Sequence, residues 1–316
     1  MIDAQPCPLP PSSEEMTTGK RRIYILTVNY YCSELVAEMI ESVARQGDEN
    51  LHFIVVDNSP NDPAIEILAR LPKTIILRPG INLGFGGGCN AGLDYLDKND
   101  PTAIVWLLNP DATLISNAIN AIRTTLASAN PKPAILGTKI RDMNGRPWFT
   151  SGKFNRWTGS FSDTHRIRDE FTLQYDILCH RADWVSGCSM IFDLSLFKNP
   201  PRFDSNIFLY YEDVDICLRT RKEGYPVYVT EASLVEHLIS ATTSKQPQLT
   251  RRFATFSKLY VILRHGTMLG LIMNLLYLPL KSMISERSWS RTRGCIDGLA
   301  DFGLLLIKMV RARRKS

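Results

Sequence analysis

The chain reads as an α/β protein, with a mostly parallel sheet covered by helices on both faces and a C-terminal helical extension. Three observations predict this. Short apolar, β-branched runs alternate with amphipathic stretches through residues 22–129, the rhythm of parallel strands joined by crossover helices. Beyond residue 133 that rhythm gives way to hairpin and loop signals. From residue 251 onward the pattern is long, apolar and helical.

The elements follow in order. "RIYILTVNY" (22–30) is an apolar run that predicts a buried strand. "SELVAEMIESVARQG" (33–47) carries Leu35, Met39, Ile40 and Val43 at helical spacing, with Ser33 as N-cap and Gly47 as stop. Next come strand "HFIVVDNS", helix "DPAIEILARL", strand "KTIILR", the glycine-rich loop "NLGFGGGCNAG" (82–92) and a helix from Cys89. Strand "AIVWLLN" leads into a helix predicted over "PDATLISNAINAIRTTLASA" (110–129). "AILGTKIRDMNGRPWFTSG" predicts a hairpin turning at Asn144-Gly145. "DWVSGCSMIF" (183–192) reads as a strand, residues 212–223 as a helix stopped by Gly224, and "PVYVT" as another strand. Three helices then close the chain, "RRFATFSKLYVILRHG", "TMLGLIMNLLYLPLKSMI" and one from Cys295 to the end.

With 316 residues, 44% of them hydrophobic and 22% charged, a sizeable core is expected. The net charge of +5 is unevenly distributed. From Arg251 onward there are 13 Lys/Arg against three acids, so this end suits an anionic surface. Seven cysteines without a CxxC pair, among them Cys188 and Cys217 in apolar company, read as buried free thiols in a reducing compartment. Residues 1–20 have neither the basic start nor the apolar core of a signal peptide, and their Pro/Ser content predicts a mobile tail. The expected organisation is this tail, a catalytic domain over 21–248 (halves 21–130 and 131–248), and the extension 249–316. In the extension, the uncharged run 266–280 is 15 residues long, short of the roughly 20 that a spanning helix needs. Helices lying on a membrane surface and helices packed on the catalytic domain or a partner subunit are the two readings that stand.

Four features can carry chemistry. "NLGFGGGCNAG" lacks the third glycine of G-x-G-x-x-G, and no Gly-Lys-Ser/Thr follows. It is either a glycine-dependent turn or a cradle for a ligand at a helix N-terminus. Asp111 in "LLNPDATL" sits on a turn at the end of an apolar strand, as a helix cap or as an oxygen ligand for Mg²⁺ or Mn²⁺. Glu212, Asp213 and Asp215 crowd one helix start, where acids complement the dipole. Crowding and two adjacent tyrosines could equally raise one carboxylate into the range of a general base. His237 in "VEH" is a structural histidine unless Asp111 holds a metal.

Together, "ILTVNY", "VVDNS", "NLGFGGGCNAG", "LLNPDA", "DWVSGCSMIF", "FDSNIFLYYEDVDICLR" and "GYPVYV" followed by "VEH" resemble the inverting GT-A glycosyltransferases of family 2. Within that family the resemblance is to the bacterial rhamnosyltransferases, and it covers about residues 22–240. It implies that Asp57, near Thr27 and Asn29, meets the nucleobase or ribose, and that Asn82, Gly84 and Asn109 lie beside the nucleotide-sugar. It implies Asp111 and His237 as metal ligands and Asp213 as general base. Asn109 stands where many members have the first Asp of D-x-D. Trp184, Tyr211 and Glu212 look like acceptor-cleft residues.

What the resemblance implies for function is inverting transfer of a sugar, dTDP-L-rhamnose being the favoured donor, onto a hydroxyl of a glycan or polyprenyl-linked acceptor, with Mg²⁺ or Mn²⁺. The basic extension adds a membrane surface, at the inner face of the cytoplasmic membrane, or a homodimer contact. Nucleic acid is not an expected partner, because the basic residues are interleaved with long aliphatic runs. Two alternatives stay open: a catalytically silent GT-A-like scaffold, and a UDP-sugar transferase of galactofuranosyl or hexosyl type. A nucleotidyltransferase is disfavoured, since "LTVNYYCSE" offers no glycine-rich basic loop after the first strand.

Overall fold

The computed structural model describes residues 3–4, 21–163, 179–238, 246–285 and 288–313. The tail expected over 1–20 therefore lies outside the described residues, except for the edge strand β1 (Asp3–Ala4). Strands β2 (Ile23–Asn29) and β3 (Leu51–Asp57) flank helix α1 (Ser33–Ala44), and the short α2 (Ile65–Leu68) precedes β4 (Thr74–Arg78). Helix α3 (Gly84–Asn99), strands β5 (Ile104–Leu108) and β6 (Ala112–Leu114) and helix α4 (Ala118–Ser128) complete the first half.

The second half holds β7 (Ile135–Asp142), β8 (Pro147–Phe149), β9 (Gly152–Asn155), β10 (Ser160–Asp163), β11 (Cys179–Arg181) and β12 (Ser189–Asp193). Helix α5 (Glu212–Lys222) and strand β13 (Val227–His237) follow, and helices α6 (Pro247–His265), α7 (Met268–Ser285) and α8 (Trp289–Arg313) end the chain.

The main sheet runs β1-β4-β3-β2-β5-β12-β7-β13-β11. β4, β3, β2 and β5 are parallel, as the alternating rhythm predicts. Their direction of winding reverses between β2 and β5, which opens a crevice beyond the strand ends at Asn29 and Leu108. β12 is inserted antiparallel between β5 and β7, and β7 pairs with β13 in parallel. The core lies along these strands, with Ile25, Ile54, Trp106, Ile135 and Phe192 fully or almost fully buried.

Several local expectations are corrected. Cys32, not Ser33, is the N-cap of α1, no side chain caps the helix, and the Cys32 amide donates to Asn29 Oδ1 (3.2 Å) at the strand end. Val36 takes the buried place expected for Leu35. The second helix shrinks to four residues, because Asp62 turns the chain by accepting from the Ala64 amide. The glycine stretch is not a loop before a helix: α3 begins at Gly84. A Cβ on Gly88 would stand 2.8 Å from Val28, one on Gly86 2.9 Å from Phe203, and one on Gly92 would clash with Leu26. Gly88 and Gly92 let α3 lie directly on β2, and Gly86 makes room for Phe203.

The helix expected from residue 110 starts only at Ala118, because residues 112–114 form β6 on the edge of β13. Residues 183–188 are loop, and the strand is confined to Ser189–Asp193. The hairpin at Asn144-Gly145 is present, with Gly145 left-handed.

Part of the extension packs on the α/β domain. α6 packs Tyr260 and Val261 on Ile207, Val214 and Leu218 of the catalytic domain. Ser257 Oγ donates to the Leu209 carbonyl (3.0 Å), and His265 and Arg264 reach Asp215 of α5. α7 packs inward through Leu271 and Leu278 against α6 and α8, while its outer face stays exposed. Among the described residues no helix is long and apolar enough to cross a membrane.

Candidate active site

The crevice collects side chains from five elements. On β3, register pairing sets Asp57 opposite Asn29 of β2. Asp57 Oδ1 accepts from Asn29 Nδ2 (3.0 Å) and from the Ser59 amide (3.0 Å). Asn29 is completely buried and Thr27 nearly so. Asn29 orients Asp57 through that hydrogen bond. Ser59, tied to the Tyr31 amide (2.7 Å), completes this corner, and the exposed rings of Tyr30 and Tyr31 stand beside it. Sequence reading missed these tyrosines, although an aromatic pair directly after a strand end was the available signal.

Asn82 and Gly84 open α3. Asn82 Oδ1 accepts from the Gly84 amide (2.9 Å), and the Gly84 carbonyl accepts from Asn58 Nδ2 (2.8 Å). Gly84 has a φ of 75° and lies against the Phe208 carbonyl, a position only glycine fills without strain. Its backbone is thus committed to packing, and Asn82 is the half-buried member of the pair that retains a place on the rim.

Asp111 and His237 meet because of β6. This three-residue strand pairs His237 with Ala112, and the Leu238 amide donates to the Asp111 carbonyl (2.8 Å). His237 Nε2 then lies 3.0 Å from Asp111 Oδ1, both side chains almost fully buried. The Trp148 ring packs on the imidazole at 4.4 Å between centroids. Among the described residues His237 Nδ1 is buried with no hydrogen-bond partner, and no third His, Cys, Asp or Glu joins the pair. Asn109, half-buried, leads the turn, its amide donating to the Cys188 carbonyl (3.0 Å).

That bond draws the 183–188 loop alongside. The Gly187 amide donates to Asp213 Oδ2 (2.9 Å), and a second amide, that of Val214, donates to Asp213 Oδ1 (2.8 Å). Gly187 permits the approach, since a Cβ there would stand 3.2 Å from Phe85 and 3.4 Å from Asp213. Burial pushes the Cys188 thiol well up, and the charges of Asp111 and Asp213 add to it. The Cys32 thiol is likewise raised by burial and then by charges that include Asp111 and Asp57. Asp57, Asp111 and Asp213 thus share one electrostatic neighbourhood, with Cys32 and Cys188 between them.

Glu212 and Asp213 are a coupled pair. Burial raises both carboxyls above the usual range. Asp213 receives two amide donors that favour its charged form, whereas Glu212 Oε2 is buried without a partner, so the shared proton belongs on Glu212. Glu212, expected on the acceptor wall, is buried and packs near Gly86 of α3. Tyr211 precedes α5 in left-handed geometry, φ 64°, with its ring on Phe161 and its phenol pushed up to about 12 by burial. Trp184 is half-buried, with its indole lying over Gly152 and beside Phe149.

A family model described as Glycosyl transferase family 2 matches residues 23–198. An N-acetylglucosaminyl-diphospho-decaprenol L-rhamnosyltransferase of Mycobacterium tuberculosis is 26% identical over 245 residues, covering 69% of this chain and 76% of its own. The mannosyltransferase PcManGT of Pyrobaculum calidifontis, solved with GDP-Man and Mn²⁺, superposes with a TM-score of 0.54 at 15% identity, covering 93% of this chain and 81% of that one. S. aureus TarS (residues 1–349) does so with a TM-score of 0.52 at 14% identity, covering 89% and 80%. The sheet order and these likenesses describe the GT-A fold, and the chain belongs to glycosyl transferase family 2 and is a glycosyltransferase.

Proposed function

We propose that the protein is an inverting transferase that moves L-rhamnose from dTDP-L-rhamnose onto a hydroxyl of a lipid-linked glycan at the inner face of the cytoplasmic membrane. The observation that carries this is Asp213: a carboxylate on a helix N-terminus, fixed by the Gly187 amide beside Asp111 and His237. The rhamnosyl and lipid-linked parts draw on the similarity to the mycobacterial enzyme, whose name specifies both.

In the proposed reaction the acceptor oxygen forms its bond to the anomeric carbon as the bond from that carbon to the diphosphate oxygen breaks. Asp213 takes the acceptor proton, a contribution of roughly 10²–10⁴-fold. The two amide donors hold its carboxylate in one orientation and keep it charged between turnovers. Neutral Glu212 spares it a second negative charge. Asp57 and Asn82 are the proposed contacts to ribose or base, and the exposed rings of Tyr30 and Tyr31 offer faces to a base. Trp184 and Tyr211 wall the acceptor side.

Asp111 and His237 suit Mg²⁺ or Mn²⁺. Asp111 Oδ1 and His237 Nε2, 3.0 Å apart and almost fully buried, are the atoms that would hold it. Bound there, the ion would neutralise charge on the departing diphosphate.

Asp213→Asn is expected to keep its fold, by circular dichroism and melting, and to lose transfer by about 10²-fold or more; wild-type turnover would remove the base assignment. A thermal-shift panel of nucleoside diphosphates with Mn²⁺ tests the donor. Selective stabilisation by dTDP is expected, and a UDP preference would move the reading to a hexosyl-type transferase.

A further inference from the structure

We infer that the outer face of α7 lies in the plane of an anionic lipid surface, with the exposed cations of α8 set against the headgroups. The observation is an inverted helix. α7 turns its polar Asn274 and Ser282 inward, both buried, and Asn274 Nδ2 is held by the Thr158 and Gly270 carbonyls (2.8 Å each). Outward it presents Leu269, Ile272, Leu276, Leu280 and Ile284, a row spaced by three and four residues and 50–83% exposed. A helix of 18 residues makes this face about 27 Å long. Water is the wrong solvent for such a contiguous apolar face.

Two tryptophans mark its ends. Trp157, 63% exposed, sits on the β9–β10 turn, where the Thr267 amide just before α7 donates to the Arg156 carbonyl (2.9 Å). Trp289, 77% exposed, opens α8 just beyond the other end. Exposed indoles beside cations suit the boundary between headgroups and acyl chains. Arg156 lies over the Trp157 ring (5.7 Å) and Lys281 over Tyr277 (5.6 Å).

Charge selects the occupant. Asp297 and Asp301 of α8 are bonded to Gln248 and Arg252 of α6, whereas Arg291, Arg293, Lys308 and Arg311 are exposed. A second copy would bring the same cations to a two-fold contact and be repelled. An anionic bilayer is attracted, and because no described helix can cross it, the helix lies along it. The arrangement also relates membrane to cleft. The β9–β10 hairpin carries Trp157 at its turn, and its Phe161 packs on Tyr211 beside α5. That a lipid-linked acceptor enters along this hairpin rests on the function proposed above; the docking itself does not.

The test is co-sedimentation of the full chain with phosphatidylcholine vesicles, with and without phosphatidylglycerol. Binding is expected only with phosphatidylglycerol. Leu276→Glu and Leu280→Glu, alone and together, are expected to lower the bound-to-free ratio by at least about ten-fold each. Arg291→Gln with Arg293→Gln should lower it several-fold and flatten its salt dependence. Ile284→Glu, at the end of the helix, provides a milder variant should the double change disturb folding, and melting curves monitor that. Wild type failing to bind, or the Glu variants binding like wild type, would overturn the proposal. So would a wild-type dimer in sedimentation equilibrium that Leu276→Glu dissociates, which would assign the face to a second copy. Transfer to a short-chain, water-soluble acceptor should survive in the α7 variants, which separates loss of docking from failure of the catalytic reading.

Discussion

Helices α3 and α5 flank the cleft and begin in opposite ways. α3 starts with glycines and no acid in its first turn, and α5 with Glu212, Asp213 and Asp215. At α3 the missing side chains become close contact, with Gly84 against Phe208, Gly86 against Phe203 and Gly88 against Val28. At α5 three like charges within four residues are separated by environment. Asp213 accepts from two amides at the cleft, whereas Glu212 is buried with Oε2 unpartnered among the described residues. Asp215, fully buried, is ionised among Arg219 (2.7 Å), His265 (2.8 Å) and Arg264 (3.3 Å). One helix end places backbone, the other differentiates charge, so substitutions should report backbone geometry in α3 and ionisation in α5.

The largest effect on stability is expected at Asp215. Burial alone would raise its carboxyl, but hydrogen bonds and charge from His265, Arg219 and Arg264 hold it below the usual range. Asp215→Asn leaves those cations without their anion and should cost about 3–5 kcal/mol in thermal or urea unfolding. The sign is that of a depressed acid: the contribution is present above the unfolded pKa and is lost as pH falls through the folded one. The gap between wild type and variant should therefore be constant near neutrality and close only below about pH 4. A gap that fails to close at acid pH would mean that the Asp215 carboxyl is not held below the usual range.

Next come the glycines. Gly88→Ala must push Val28 aside and should cost about 1–3 kcal/mol. Gly84→Ala meets a backbone carbonyl and a positive φ as well, neither of which can rotate away, so it should be the costlier of the two. Equal melting temperatures for the two variants would break the contrast between a rigid and a yielding neighbour.

How much of this was legible in the sequence depended on whether a residue acts locally. The parallel strands were legible because buried strands are apolar runs, and α5 because Gly224 stops it. Asp57, Asp111 and Asp213 were legible because strand and helix ends put polar residues at a rim. β6 was not: "ATL" pairs with β13 more than 120 residues away, and no local pattern reports that partner. Contacts between separate elements likewise hid Trp148 on His237 and Gly187 on Asp213. The hydrogen bond from Asn29 to Asp57 was not legible either, since it depends on the register of β2 against β3. The inverted face of α7 was hidden for a related reason. Its 15 uncharged residues show that the helix avoids water, but which side is covered depends on how α6 and α8 pack.

The smallest effect, and the one that most sharpens the contrast, concerns Glu212. Its folded pKa, pushed up to about 8 by burial and then by Asp213, lies above the unfolded value. Between about pH 4 and pH 8 the unfolded chain gives up this proton while the folded chain keeps it, so folding stability falls as pH rises through that window and levels off above it. A glutamine side chain cannot titrate, so Glu212→Gln should melt with a flatter pH profile. Any fixed cost of burying the amide shifts that profile without tilting it. The variant's melting temperature should gain on wild type by about 2–4 °C or more between pH 5 and pH 8. Over the same range the acid limb of kcat/KM should stay where it is, because that limb belongs to Asp213 and Glu212 is already neutral when Asp213 titrates. Parallel melting profiles would mean that the proton does not reside on Glu212. A limb that moved to lower pH in the variant would mean that Glu212 is charged beside Asp213 during turnover, and that the two acids are not separated as their hydrogen bonds imply.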